Sequence, residues 1–256
     1  MRLAVLFFSA TGNTKWAVDY LCAKAAGRGV VVEMHDLEFF RPEDLGPVDA
    51  VLLAHPIYGA NLPRIVGERL DGLVLAKGTR LSVLATFGYA NALGPFREAK
   101  TLGRRIHSYF NLRMFNNLST PKLRTDLVPL ETRLGKKAGL EARLDRILER
   151  LLRGSRRLEG VGPQLLAGLA IGRLTRRGLR DNYKSLSVDG KRCTLCLRCV
   201  ASCPASALAY QNGVFSFGAG CSACMRCYNS CPASAILLDG VWADPRIYTR
   251  YKGPWG

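Results

Sequence analysis

The sequence predicts an α/β protein: a doubly wound parallel sheet followed by a small, cysteine-rich α+β module. Three observations predict it. Apolar runs alternate with helical patterns through the first half of the chain. A hydroxyl-rich turn, SATGNT (residues 9–14), joins the first apolar run to the first helical pattern. Eight of the nine cysteines fall into two runs of identical spacing, CTLCLRCVASCP (193–204) and CSACMRCYNSCP (221–232).

Elements follow in order. Apolar runs at 3–8, 29–32, 50–54 and 81–85 predict strands covered on both faces, with a fifth near 112–118. Helical patterns lie between them at about 13–26, 62–72 and 92–108. Such alternation implies right-handed crossovers. Leu140, Leu144, Ile147, Leu148 and Leu151 recur at helical spacing, so an amphipathic helix closes the sheet domain, with Gly154 placed to end it. A second, shorter helix follows, carrying Arg173, Arg176, Arg177 and Arg180. Its expected role is a linker helix packed on the domain with a solvated basic end; contact with an anionic membrane surface is the less favoured reading. The expected limits are 1–157 for the sheet domain, 158–183 for the basic linker and 184–256 for the cysteine module.

At 256 residues, 48% hydrophobic and 22% charged, the chain suits two globular domains. No run approaches the ~18 uncharged apolar residues of a membrane span. MRLAVLFF runs into SATGNT without a small-residue cleavage pattern, so it reads as a strand and the expected location is the cytoplasm. In a reducing compartment the cysteines are expected to hold metal rather than form disulfides. Cys22, alone in a helical pattern, reads as packing. The net charge is +17, and its excess lies in residues 104–192, with 21 Lys/Arg against 8 Asp/Glu.

The SATGNT turn has the chemistry of an anion site. A helix N-terminus offers unpaired N–H groups and a partial positive charge. Gly12 permits a tight turn, Ser9, Thr11 and Thr14 add hydroxyls, and Asn13 adds an amide or a cap. With no Lys it is not a triphosphate P-loop, and with no GxGxxG it is not the dinucleotide fingerprint. SATGNT resembles the T/S-x-T-G-x-T phosphate loop of the flavodoxin family. That resemblance, over about residues 1–150, implies strand order 2-1-3-4-5 with FMN at the switch point. It also implies two ring-clamping loops, HPIYGANLP (55–63) and TFGYAN (86–91). Tyr58 and Tyr89 are the ring-stacking candidates, then Phe87. Gly59, Thr86 and Gly88 complete the set, with the Tyr58–Gly59 peptide facing the flavin N5.

Both cysteine runs fit C-x2-C-x2-C-x3-C-P, the spacing of bacterial two-cluster ferredoxins. Three close cysteines wrap one [4Fe–4S] cluster and the fourth enters a helix toward the other. Cys193, Cys196, Cys199 and Cys231 are thus expected to form one set, and Cys221, Cys224, Cys227 and Cys203 the other. Zinc is the competing reading, but two four-cysteine runs with following prolines are not a zinc-ribbon layout. Many ferredoxins carry Gly after the second cysteine, where this chain has Leu197 and Met225. The whole resembles the flavodoxin–ferredoxin fusion proteins of anaerobic bacteria and archaea. The expected function is electron transfer between FMN, two clusters and an external redox partner protein, an acidic one if the basic segment steers it. The alternative is a flavoenzyme acting on a small substrate at the flavin edge. No catalytic acid, base or nucleophile stands out; His35, His55 and His107 are scattered. No nucleic-acid motif accompanies the basic segment.

Overall fold

The computed structural model describes residues 1–89, 91, 94–121, 126–162 and 164–256, with the backbone alone for 164–169. Ala90 of the second expected clamp, the first residues of the expected 92–108 helix, and Pro163 of the linker lie outside these. The first unit alternates β1 (Arg2–Phe7), α1 (Asn13–Ala26), β2 (Val31–Asp36), β3 (Ala50–Pro56), α2 (Arg64–Arg69), β4 (Arg80–Phe87), α3 (Gly94–Leu102) and β5 (Ser108–Arg113). The five strands pair in parallel in the order β2-β1-β3-β4-β5. The order in which strands are added reverses between β1 and β3, which opens a crevice at their C-terminal ends.

Burial explains the continuous apolar strands. Leu3, Val5 and Phe7 pack on α1 and on α5 (Lys137–Leu152) through Val18, Leu21, Leu144, Ile147 and Leu148. Ala4, Leu6 and Phe8 pack on the opposite layer with Ile65 and Val66 of α2. The short α4 (Leu130–Gly135) precedes α5, and α6 (Gln164–Asp181) follows it. Gly154, at φ +65°, stands two residues beyond α5, as its position predicts.

The fifth strand is displaced from its expected place near 112–118. Pairing begins at Ser108, after Gly103 at φ +62° ends α3, and His107 N–H already bonds the Leu81 carbonyl at 2.7 Å. Residues 114–118 instead run beyond the sheet, where the Asn116 side chain bonds both the N–H and the carbonyl of Leu118.

The second unit contains β6 (Leu186–Val188), α7 (Arg198–Ala201), β7 (Leu208–Gln211), β8 (Val214–Phe217), α8 (Arg226–Ser230) and β9 (Ile236–Leu238). β6 pairs antiparallel with β9, and β7 with β8. A small core of Leu186, Leu208, Tyr228, Ile236 and Leu238 holds it. The 249–255 segment then returns to the first unit. Tyr251 enters its core, Trp255 packs edge-on against Trp16 with ring centroids 4.9 Å apart, and buried Arg133 donates to the Gly253 and Pro254 carbonyls. No helix among the described residues is long and apolar enough to cross a membrane.

Candidate cofactor sites

A cavity of about 440 Å³ lies at the C-terminal ends of β1, β3 and β4, within the range of small-ligand sites. It gathers Ser9, Thr11, Asn13 and Thr14 from the SATGNT turn, Tyr58 and Gly59 from the first expected clamp, and Thr86, Phe87, Gly88 and Tyr89 from the second. Gly12 is not itself a wall; it caps α1 at φ +99°, and a Cβ there would meet Gly253 at 3.5 Å and Pro254 at 3.6 Å. The 249–255 segment therefore braces the turn from behind.

The side chains divide by role. Ser9 Oγ and Tyr58 OH are buried without a partner, so two polar groups at this cavity await one. Thr14 and Thr86 hydroxyls bond each other at 2.8 Å and tie α1 to β4. Thr11 Oγ1 accepts from Asn117 Nδ2 at 2.7 Å. Asn13 is engaged internally: its amide donates to the Phe115 carbonyl at 2.9 Å, and its oxygen accepts from Tyr251 OH. Tyr89 is 64% exposed at the rim. His55 faces away from the cavity and is fully buried, with Nε2 2.7 Å from Glu98 Oε1 and Nδ1 3.0 Å from the Pro56 carbonyl oxygen. Burial pulls its pKa down, the Glu98 carboxylate pulls it up, and the net direction is up.

Two further walls come from outside the sheet domain. Ile171 and Leu179 of α6 line the cavity. The Thr175 hydroxyl lies 2.5 Å from the Gly59 carbonyl oxygen and accepts from Asn61 Nδ2 at 3.1 Å. Gly59 sits at φ +49°, and a Cβ there would meet Thr175 and Leu179 at 3.0–3.1 Å. The expected linker helix thus seats directly on the first clamp loop, while Arg173, Arg176, Arg177 and Arg180 stay exposed.

Ala223, Cys224 and Met225 of the second cysteine run form the other wall. Between Cys224 and Cys227, Arg226 reaches into the sheet domain. It donates to the Ser9 and Ala10 carbonyls at 2.8 Å, to the Ser202 carbonyl at 3.0 Å and to both oxygens of Glu38. Burial opposes the guanidinium charge, but Glu38 outweighs it, so the Arg226 pKa is raised.

The cysteines gather in two places. One small cavity is lined by Cys193, Cys196, Cys199 and Cys231, the other by Cys203, Cys221, Cys224 and Cys227. The runs share backbone geometry. The residues before and after each second cysteine are left-handed: Leu195 and Leu197 at φ +53°, Ala223 at +54° and Met225 at +59°. Each fourth sulfur accepts an amide: Ala207 N–H to Cys203 at 3.3 Å and Ala235 N–H to Cys231 at 3.2 Å. Burial pushes the Cys224 thiol up to about 12 and raises Cys227, on which Cys224, Cys221 and Cys203 also act. Cys199 is raised by burial and by Cys231 and Cys193. Binding of a cation to such thiols displaces their protons. Among the described residues no three His, Cys, Asp or Glu side chains form a group that holds a single metal ion.

Comparison with known proteins gives no matching family model and no matching curated protein. Solved structures do match. A flavodoxin from Streptococcus pneumonia TIGR4 is 20% identical, covers 60% of this chain and 99% of its own, and has a TM-score of 0.40. Flavodoxin 2 from Bacillus cereus is 14% identical over 60% of this chain and 99% of its own, at 0.42. At these scores the strand order β2-β1-β3-β4-β5 carries the fold assignment by itself. The sheet domain is flavodoxin-like in fold. Sequence reasoning missed Glu38, Asn117, the Arg226 latch and the 249–255 brace. The only signal was an Arg at one position of both runs, Arg198 and Arg226.

Proposed function

We propose that this chain is an electron-transfer protein that holds FMN in the sheet-end cavity and a [4Fe–4S] cluster in each cysteine cavity. The observation that carries the reading is a shared wall: Cys224, with Met225, lines both the sheet-end cavity and the second cysteine cavity. Nothing thicker than one loop separates the two sites.

The residues present fit these groups. Ser9 and Thr11, with the free first-turn amides of α1, suit a phosphate at a helix N-terminus. Buried Tyr58 and rim Tyr89 suit a flat ring, and four thiols around each cavity suit a cubane core. Bound there, FMN supplies one- and two-electron chemistry and each cluster supplies one-electron steps. This chain's own residues do the rest. Arg226 fixes the second cysteine run against the phosphate turn, and α6 covers the ring-side loop. That cover favours a carrier over an enzyme open to a small substrate.

The test is composition. Protein purified anaerobically is expected to contain FMN and two four-iron clusters per chain. Thr11→Ala is expected to weaken FMN binding by roughly 1.5–3 kcal/mol, the value of one hydrogen bond to a charged group. Flavin-free protein, FAD in place of FMN, or zinc in place of iron would each overturn the reading.

A further inference from the structure

The two cysteine runs present equivalent faces to different surroundings. In the second run, Ala223, Cys224, Met225 and Arg226 are docked on the sheet domain. Cys224 is buried against the sheet-domain core, Met225 is buried in the module's own core and lines the sheet-end cavity, and Arg226 meets Glu38 with both side chains less than one-fifth exposed. In the first run the same positions are Leu195, Cys196, Leu197 and Arg198. The backbone repeats, with the same left-handed residues on either side of the second cysteine. Yet Leu195 is 55% and Leu197 39% exposed, and Cys196 and Arg198 are exposed too. A face that is covered in one run stands uncovered in its repeat, with leucines in place of Ala and Met.

Charge around the uncovered face is one-sided. Arg198 borders a cleft of about 890 Å³ that reaches Cys231, and Arg250 and Lys252 line it as well. Among the described residues no carboxylate lines this cleft, and none pairs with Arg198, Arg250 or Lys252. Arg250 Nε and Ser230 Oγ are buried there without partners. Cys231 belongs to the first cysteine cavity and also lines the cleft, as Cys224 belongs to the second and also lines the sheet-end cavity. The two ends of the cysteine module thus match: one thiol abuts the flavin-side cavity, one abuts open basic surface.

Resting on the reading proposed above, we infer that the Leu195–Arg198 face is the docking surface for a separate acidic one-electron redox protein. That partner places apolar surface on Leu195 and Leu197 and a carboxylate on Arg198, as Glu38 does on Arg226. The step it serves is a single electron lost by one centre and gained by the other, with no bond or proton moving. Apolar contact supplies a desolvated path near Cys196, and the basic rim supplies steering.

The test uses fully loaded, reduced protein in stopped flow with two haem proteins of opposite charge as probes: acidic cytochrome b5 and basic cytochrome c. Oxidation by cytochrome b5 is expected to be the faster at low salt and to slow steeply as salt rises. Arg198→Glu is expected to slow it about tenfold or more while leaving cytochrome c as fast or faster. Leu197→Asp, which removes no cation, is expected to slow cytochrome b5 as well. Equal, salt-independent rates in all three proteins overturn the inference. So does loss confined to ferricyanide, which marks a small-anion site, and so does a dimer in light scattering that buries this face against a second copy. Iron and flavin are counted in every sample. Wild-type protein lacking either sinks the cofactor reading; loaded protein with unchanged rates sinks only the docking surface. If Arg198→Glu loses iron, Leu197→Asp decides.

Discussion

Leu197 and Met225 hold the same position in the two runs at φ +53° and +59°, a region that costs a side chain about 1–2 kcal/mol. The site explains why glycine suits that position, and what each side chain gives in exchange differs. Met225 is buried and walls the sheet-end cavity, whereas Leu197 is substantially exposed. Leu197→Gly is therefore expected to leave stability unchanged or raise it. Met225→Gly is expected to lower stability by about 1–2 kcal/mol, since burial of a Met side chain outweighs the relief of strain. Urea unfolding of the two variants checks the sign. His55 gives a pH signature. Its folded pKa lies above the ordinary 6.5, so the stabilisation from the Glu98 contact is complete below 6.5 and is lost as pH rises through the folded value. The wild-type unfolding midpoint is expected to fall from slightly acid to alkaline pH more than that of His55→Asn; equal slopes would sink the assignment. At this scale the gathering of the cysteines around two cavities was legible, because their spacing is local. Asn13 was not, because its partners Phe115 and Tyr251 stand 102 and 238 positions away.

Elements were legible wherever burial wrote a period into the chain. α1 and α5 match their patterns because each presents one apolar stripe to the sheet. β5 was misplaced because it buries Ser108 and Phe110 on one face and Tyr109 on the other, while LRMFNNL looks more strand-like and its last four residues serve as cavity wall. The seat of α6 was illegible, since helical spacing does not say which loop a helix covers. Its contact with Gly59 makes a prediction. Gly59→Ala adds a Cβ 3.0 Å from Thr175 and strains a left-handed residue, so α6 is expected to lift. Faster tryptic cleavage after Arg173, Arg176 or Arg177 together with weaker FMN binding is the expected pair of results. Unchanged cleavage would detach α6 from the cavity.

At the scale of the molecule, the two units are joined by a latch rather than by simple contact. Arg226→Gln leaves Glu38 nearly buried beside a neutral amide and frees the Ser9 and Ala10 carbonyls. The expected cost is about 3 kcal/mol, with flavin affinity and stability falling together. Arg198→Gln, the equivalent change on the uncovered face, is expected to cost within about 0.5 kcal/mol. Unfolding with flavin titration compares them, and equal effects would dissolve the distinction between the faces. The same architecture sets an order on biosynthesis. A ribosome releases Ser9 through Thr14 early, but Met225 arrives more than two hundred residues later and the brace behind Gly12 later still. Through most of translation the sheet-end cavity has a floor and no far wall. On the cofactor reading proposed above, the last wall depends on cysteines that fold around metal. In an iron-starved cell, then, newly made chains are expected to hold flavin poorly, though no flavin-contacting residue of the sheet has changed.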